Sequence, residues 1–138
     1  MKYLHVFAIG LFALILSSCS VDDNSSKYHL IPLEVVSFEL PPSFTLDEVY
    51  DVKVTYRLPD GCTFFDGFDI TPTEQTTRIV VPIGSQFDDP DCLEGGQDVE
   101  GSFRFVCLYS DTYLFRFYTG KDEDGEDAFL EVEVPVNQ

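Results

Sequence analysis

The stretch Val49-Tyr50-Asp51-Val52-Lys53-Val54-Thr55-Tyr56-Arg57-Leu58 alternates without a break. Tyr50, Val52, Val54 and Tyr56 fall on one side of the period, and Asp51, Lys53, Thr55 and Arg57 on the other. Successive side chains of an extended chain point to opposite faces, so this pattern specifies a strand with one face against a core and one in water. Pro59-Asp60-Gly61 ends it as a turn, the proline fixing φ and the glycine allowing φ > 0.

Working outward, six more runs of this kind can be read. Residues 31–40 form the first, with Pro32 at its start and Pro41-Pro42 closing it, which suits an edge strand. Residues 62–70 are aromatic, with Gly67 marking a bulge, and residues 76–83 follow. A long polar loop over 84–98 contains Asp88-Asp89-Pro90-Asp91-Cys92. Residues 99–108 then place Phe103, Phe105 and Cys107 on one face, and residues 113–119 do the same with Tyr113, Phe115 and Phe117. The last run, 129–136, buries Leu130, Val132, Val134 and Val136 and exposes Glu131 and Glu133. Phe and Tyr are abundant at 13 and 7 residues, and no long stretch has a helical period, so the composition favours strands. Residues 28–138 are therefore expected to form one all-β domain of about seven strands, an immunoglobulin-like β-sandwich, with a small closed barrel as the alternative.

Ahead of this domain the chain has a different character. Residues 6–16, VFAIGLFALIL, carry no charge. As a helix they would span roughly 16 Å, half of a bilayer core of about 30 Å, which suits the apolar region of a secretory signal. Leu16-Ser17-Ser18-Cys19 looks like a lipobox, in which small residues enter a peptidase and the cysteine thiol accepts lipid. Residues 1–18 are thus expected to be a lipoprotein signal peptide, and 19–27 the lipidated Cys19 and a flexible acidic tether. Acyl chains on Cys19 would hold the protein on a membrane, each buried CH₂ contributing about 0.8 kcal/mol. Ser20 does not match the aspartate that retains lipoproteins on the inner membrane of enteric bacteria, so the outer membrane is the expected location. Asp22-Asp23 also resembles the acidic export signal of cell-surface lipoproteins in the Bacteroidota.

Charge narrows the partners. Removing residues 1–18 takes away only Lys2, leaving 7 basic against 25 acidic side chains, a net charge of −18. Such a surface repels nucleic-acid phosphates and anionic headgroups, which excludes both as ligands.

With Cys19 assigned to lipid, three cysteines remain. Cys62 and Cys92 both lie beside turns and are expected to form a disulfide, while Cys107 shares a face with Phe103 and Phe105 and reads as a buried thiol. His29, the one histidine after the signal segment, lies in or next to the tether, so Ser-His and Cys-His pairs lack a base. No glycine-rich phosphate loop is present and no cofactor is expected; the protein reads as non-catalytic, a carboxylate-pair hydrolase being the one enzyme class left open. Asp122, Asp124 and Asp127, with Gly125 between them, resemble part of a Ca²⁺ loop, but the spacing and closing glutamate of an EF-hand are missing. A polar hairpin turn accounts for the same residues.

A family resemblance rests on Arg57-Leu58-Pro59-Asp60-Gly61-Cys62-Thr63-Phe64-Phe65, on Cys92 in its acidic loop, and on Phe103-Arg104-Phe105. Tyr113-Leu114-Phe115-Arg116-Phe117 and the run from Gly120 to Val136 extend it over nearly all of the domain. These residues resemble small Ig-like lipoproteins of flavobacteria and other Bacteroidota. The resemblance implies an envelope lipoprotein with an Ig-like fold and carries over no catalytic residue. Cys107 departs from it, standing where an aliphatic core residue is expected.

Parity also places a candidate binding face. With the apolar residues of the last two strands inward, Leu114, Arg116 and Tyr118 point out beside Phe129 and Glu131. Phe65 would border them if the Ig-like strand order holds. The expected role is non-catalytic binding of an envelope protein or glycan; the alternative is a structural or accessory subunit of an envelope complex. The anchor is tested first. Cys19→Ala should accumulate unprocessed precursor or release the protein from the membrane fraction, and an unmodified mature N-terminus in mass spectrometry would end the lipoprotein reading.

Overall fold

The computed structural model describes residues 27–137, so the signal segment, Cys19 and the tether up to residue 26 lie outside the described residues. Ten strands form: β1 (Tyr28–Pro32), β2 (Glu34–Glu39), β3 (Phe44–Thr45), β4 (Val49–Asp60), β5 (Thr63–Pro72), β6 (Thr77–Phe87), β7 (Glu94–Val106), β8 (Tyr113–Lys121), β9 (Asp127–Val134) and β10 (Val136–Asn137). The all-β expectation holds, as two facing sheets.

In the first sheet β6 is central. Antiparallel β5 runs along one edge. The other edge is shared by β8, parallel at Thr77–Val80, and by β1, antiparallel at Ile83–Phe87. β9 pairs antiparallel with β8 at the margin. The second sheet is β2-β4-β7, all antiparallel, and a short parallel pair of β3 with β10 adds to one end.

The count differs from seven for local reasons. The run expected over 31–40 is two strands, because the chain changes sheets at Leu33. Leu33 is 1% exposed and its N–H donates to Pro82 O at 2.8 Å. β1 before it belongs to β6, and β2 after it to β4. The expected loop over 84–98 is mostly strand. Gly84 to Phe87 continue β6, and Glu94 to Asp98 pair with β4 as far as Asp60, leaving 88–93 between them. Gly84 reads as a breaker in sequence, yet a Cβ there would lie 3.0 Å from Phe64 O and 3.1 Å from Thr63 Cγ2. It is a close approach of backbones inside a strand.

The strand order departs from the immunoglobulin pattern in one respect. β2-β4-β7 correspond to A-B-E, and β8-β9 to F-G. The position beside F belongs in that pattern to the third long strand, running antiparallel. Here the fourth, β6, takes it and runs parallel to β8.

Alternation fills the space between the sheets as the sequence indicates. Val52, Val54 and Tyr56 of β4 and Phe103 and Phe105 of β7, with Cys107 just beyond it, come from one sheet, and Tyr113, Phe115 and Phe117 from the opposite one, all buried. Phe44 packs among them, with ring centroids 4.9 Å from Phe105 and 5.9 Å edge-on from Tyr113. Tilted and edge-to-face pairs suit the ring quadrupoles and add about 0.5–1.5 kcal/mol each beyond burial. Leu130 is a correction. It has the inward parity and opposes Phe117, but β9 is the sheet margin and Leu130 remains 48% exposed. Phe117 is instead capped from the second sheet by Phe38, stacked at 4.2 Å.

Cys62 and Cys92 form the disulfide, closing a separation of 30 residues. On the chain-entropy account such a loop stabilises the fold by about 3–4 kcal/mol. Cys107 is free and buried, and burial pushes its thiol above the ordinary value, so it stays protonated and unreactive.

Tyr113 ties the start of β8 to the preceding turn. Its hydroxyl oxygen accepts the N–H groups of Leu108 and Tyr109, each at 3.1 Å. A tyrosine at the start of strand F that bonds backbone just upstream is the tyrosine corner of Ig-like sandwiches. Tyr113→Phe should therefore lower stability by about 1–3 kcal/mol, since two amides lose an acceptor without a change of packing. A urea midpoint equal to that of the native chain would show the corner to be without weight.

Candidate functional site

The register of β8 and β9 brings together four of the residues singled out on the candidate face. Tyr118 opposes Phe129, and Arg116 opposes Glu131. Arg116 Nε donates to Glu131 Oε1 at 2.7 Å, and its guanidinium carbon lies 4.5 Å from the Phe129 ring centre. Tyr118 meets Phe129 edge-on at 6.1 Å. Leu114 opposes Glu133 and extends the row, with Thr77 and Ile79 of β6 beside Leu114 and Arg116. The hairpin thus holds a cation over an aromatic face and against a carboxylate at once. Such contacts are worth roughly 0.2–1 kcal/mol per cross-strand pair.

Two of the six residues stand differently from expectation. Tyr118 has the outward parity but is only 5% exposed, because the chain entering β2 passes over this end of β8. Glu34 is so close that a Cβ on neighbouring Gly120 would meet its carboxylate at 2.6 Å. Burial raises the Tyr118 phenol above its ordinary pKa. Phe65 does not border the face at all. It turns inward, stacked on Tyr56 at 4.5 Å and edge-on to Phe68 at 5.0 Å, and β6 separates its strand from β8.

The acidic turn between β8 and β9 is organised by one carboxylate. Asp122 Oδ1 accepts the N–H groups of Asp124 and Glu126, both at 2.9 Å. Its backbone N–H donates to Glu126 O, and Gly125 supplies the positive φ of 81°. Asp127 pairs with Lys121. The candidate calcium ligands Asp122, Asp124 and Asp127 therefore do not converge, and among the described residues no group of three or more His, Cys, Asp and Glu side chains could hold a metal.

Other carboxylates are tied as firmly. Asp60 Oδ1 accepts from Thr63 Oγ1 at 2.7 Å and the Cys62 N–H at 2.9 Å, and its Oδ2 accepts from Gln86 at 2.6 Å. These bonds, that from Thr63 foremost, hold the Asp60 carboxyl below its ordinary value. Asp98 receives two bonds from Arg57, at 2.8 and 3.1 Å, which lower its pKa while raising that of Arg57. A carboxyl held ionised in this way has no proton to give as a general acid. Beside this pair is a cleft of about 340 Å³ lined by Ile31, Pro32, Leu33, Glu34, Arg57 and Gln86. Sequence reasoning misses it because its wall is the β1–β2 crossover, and the one local signal of that crossover is Pro32.

No family model, curated protein or solved structure matches the chain.

The turn makes its own prediction. Asp122→Ala should destabilise by about 0.5–2 kcal/mol, the range for losing a side-chain cap on backbone amides, while Asp124→Ala should cost little. Millimolar Ca²⁺ should leave the melting temperature of the native chain unchanged; a rise reversed by chelator would make the turn a metal site, since a ligand selective for the folded state stabilises it.

Proposed function

We propose that this chain is an outer-membrane lipoprotein, held through lipid on Cys19, with a non-catalytic binding role. Its kin on this reading are the small Ig-like lipoproteins of flavobacteria and other Bacteroidota. The observation that carries the binding role is Arg116 fixed over Phe129 with Leu114 beside it, on a hairpin whose strands pair without interruption from Tyr113 to Tyr118. Arginine and aromatic side chains held in place before contact lose little freedom on binding, and they dominate recognition sites. A protein fits this face better than a glycan, because the ring that would stack on a sugar already carries the guanidinium.

A second reading, a structural or accessory subunit of an envelope complex, draws on the ion pair itself. Arg116 and Glu131 satisfy one another, as a sheet needs for its own cohesion. Crosslinking in intact cells separates the two. Leu114→Asp with Arg116→Ala should abolish the crosslinked partner while the protein stays folded and in the membrane fraction. Tyr118 is left unchanged because it is covered. An unchanged crosslinking pattern would reject this face and leave the subunit reading.

A further inference from the structure

The domain exposes a second apolar cluster, on the first sheet at the end where the chain enters. Tyr28 and Leu30 of β1 are 56% and 65% exposed, and Phe64 of β5 is 58% exposed. They form one patch. Leu30, Ser85 and Phe64 lie in register across β1, β6 and β5. The Phe87 ring joins them, 5.4 Å from that of Tyr28 and 5.7 Å from that of Phe64. Isolated apolar side chains are ordinary on a surface, but a contiguous aromatic group marks something to cover.

We infer that Tyr28, Leu30, Phe64 and Phe87 rest on the bilayer interface and orient the domain on the membrane that anchors it. The inference rests on the lipid anchor proposed at Cys19. Residues 20–27 separate that cysteine from Tyr28, a reach of at most roughly 26–29 Å. The entry point is fixed as well. Asp88 N–H donates to Lys27 O at 3.0 Å, so the chain arrives beside the patch and no slack intervenes. Tyrosine and phenylalanine suit this depth, their rings among headgroups and upper acyl chains and the phenol in water. The surface is zwitterionic rather than anionic, because Asp88, Asp89 and Asp91 flank the patch. The opposite end of the sandwich is where Val49 opposes Val106, at the far end of β4 from Asp60, whose carboxylate accepts from Gln86 beside the patch.

The chain contains no tryptophan, so one substitution gives a clean reporter. Lipidated full-length protein would be reconstituted in phosphatidylcholine vesicles brominated on their acyl chains. Phe64→Trp should lose emission to bromine and shift to the blue, and Val106→Trp at the far end should do neither. Leu30→Trp gives the same reading on β1, across β6 from Phe64, if Phe64→Trp does not fold. Protein that fails to float with vesicles refutes the anchor, and this inference with it. Floating protein with unquenched Trp at both positions 64 and 30 overturns the inference alone. So does equal quenching at position 106, which means no fixed orientation, and so does a blue shift without bromine quenching, which means that a second copy or another protein covers the patch.

Discussion

Leu33 is the residue on which the two sheets depend. Its N–H is bound to Pro82 O and its side chain is buried, so the chain is held at the point where β1 of one sheet gives way to β2 of the other. β1 is thereby confined to the far half of the β6 edge, which leaves the near half for β8. β2 is delivered opposite β8, where Phe38 closes the core over Phe117 and Glu34 arrives beside Gly120. Proline before it cannot donate to a ladder, so the change of sheet falls where the hydrogen-bonding pattern is already interrupted. The covering of Tyr118, the cleft beside Arg57 and the capping of Phe117 all follow from this crossing.

What could be read in the sequence was whatever depends on parity within one strand. Val52, Val54 and Tyr56, then Phe103, Phe105 and Cys107, then Phe115 and Phe117 are buried as their alternation indicates. The Arg116–Glu131 and Tyr118–Phe129 pairs followed from the same parity and a short hairpin. Parity does not say which strand lies alongside, nor how far the facing sheet extends. Phe65 was misplaced because β6, not β5, neighbours β8. Leu130 has the right parity on a margin that nothing covers. The polar run 84–98 concealed strand because Gly84 serves close packing there and not a turn.

Charge is distributed so that the few cations stabilise the sheets locally. Arg57 is bound to Asp98, Arg116 to Glu131, Lys121 to Asp127, and Lys53 lies between Glu39 and Glu100. Arg78 gives its guanidinium to the carbonyls of Glu74, Gln75 and Thr77 at the β5–β6 turn. Exposed pairs of this kind contribute about 0–1 kcal/mol each. Their larger effect is to leave the surface field almost wholly negative, which keeps copies of the domain apart and directs any association toward basic or neutral surfaces.

The parallel seam between β6 and β8 has a consequence for how the sandwich comes into being. A hairpin such as β5–β6 can close as soon as its own residues are available, but half of the other β6 edge has no partner until residues 114–117 have been made. Until then Thr77 to Val80 offer open amides and carbonyls to any other extended chain. Pairings between distant parts of a chain also form slowly, since their closure entropy is met before their contacts are gained. The seam therefore sets a late, cooperative step in folding, and the interval before it is when the chain is most prone to join its own kind edge to edge.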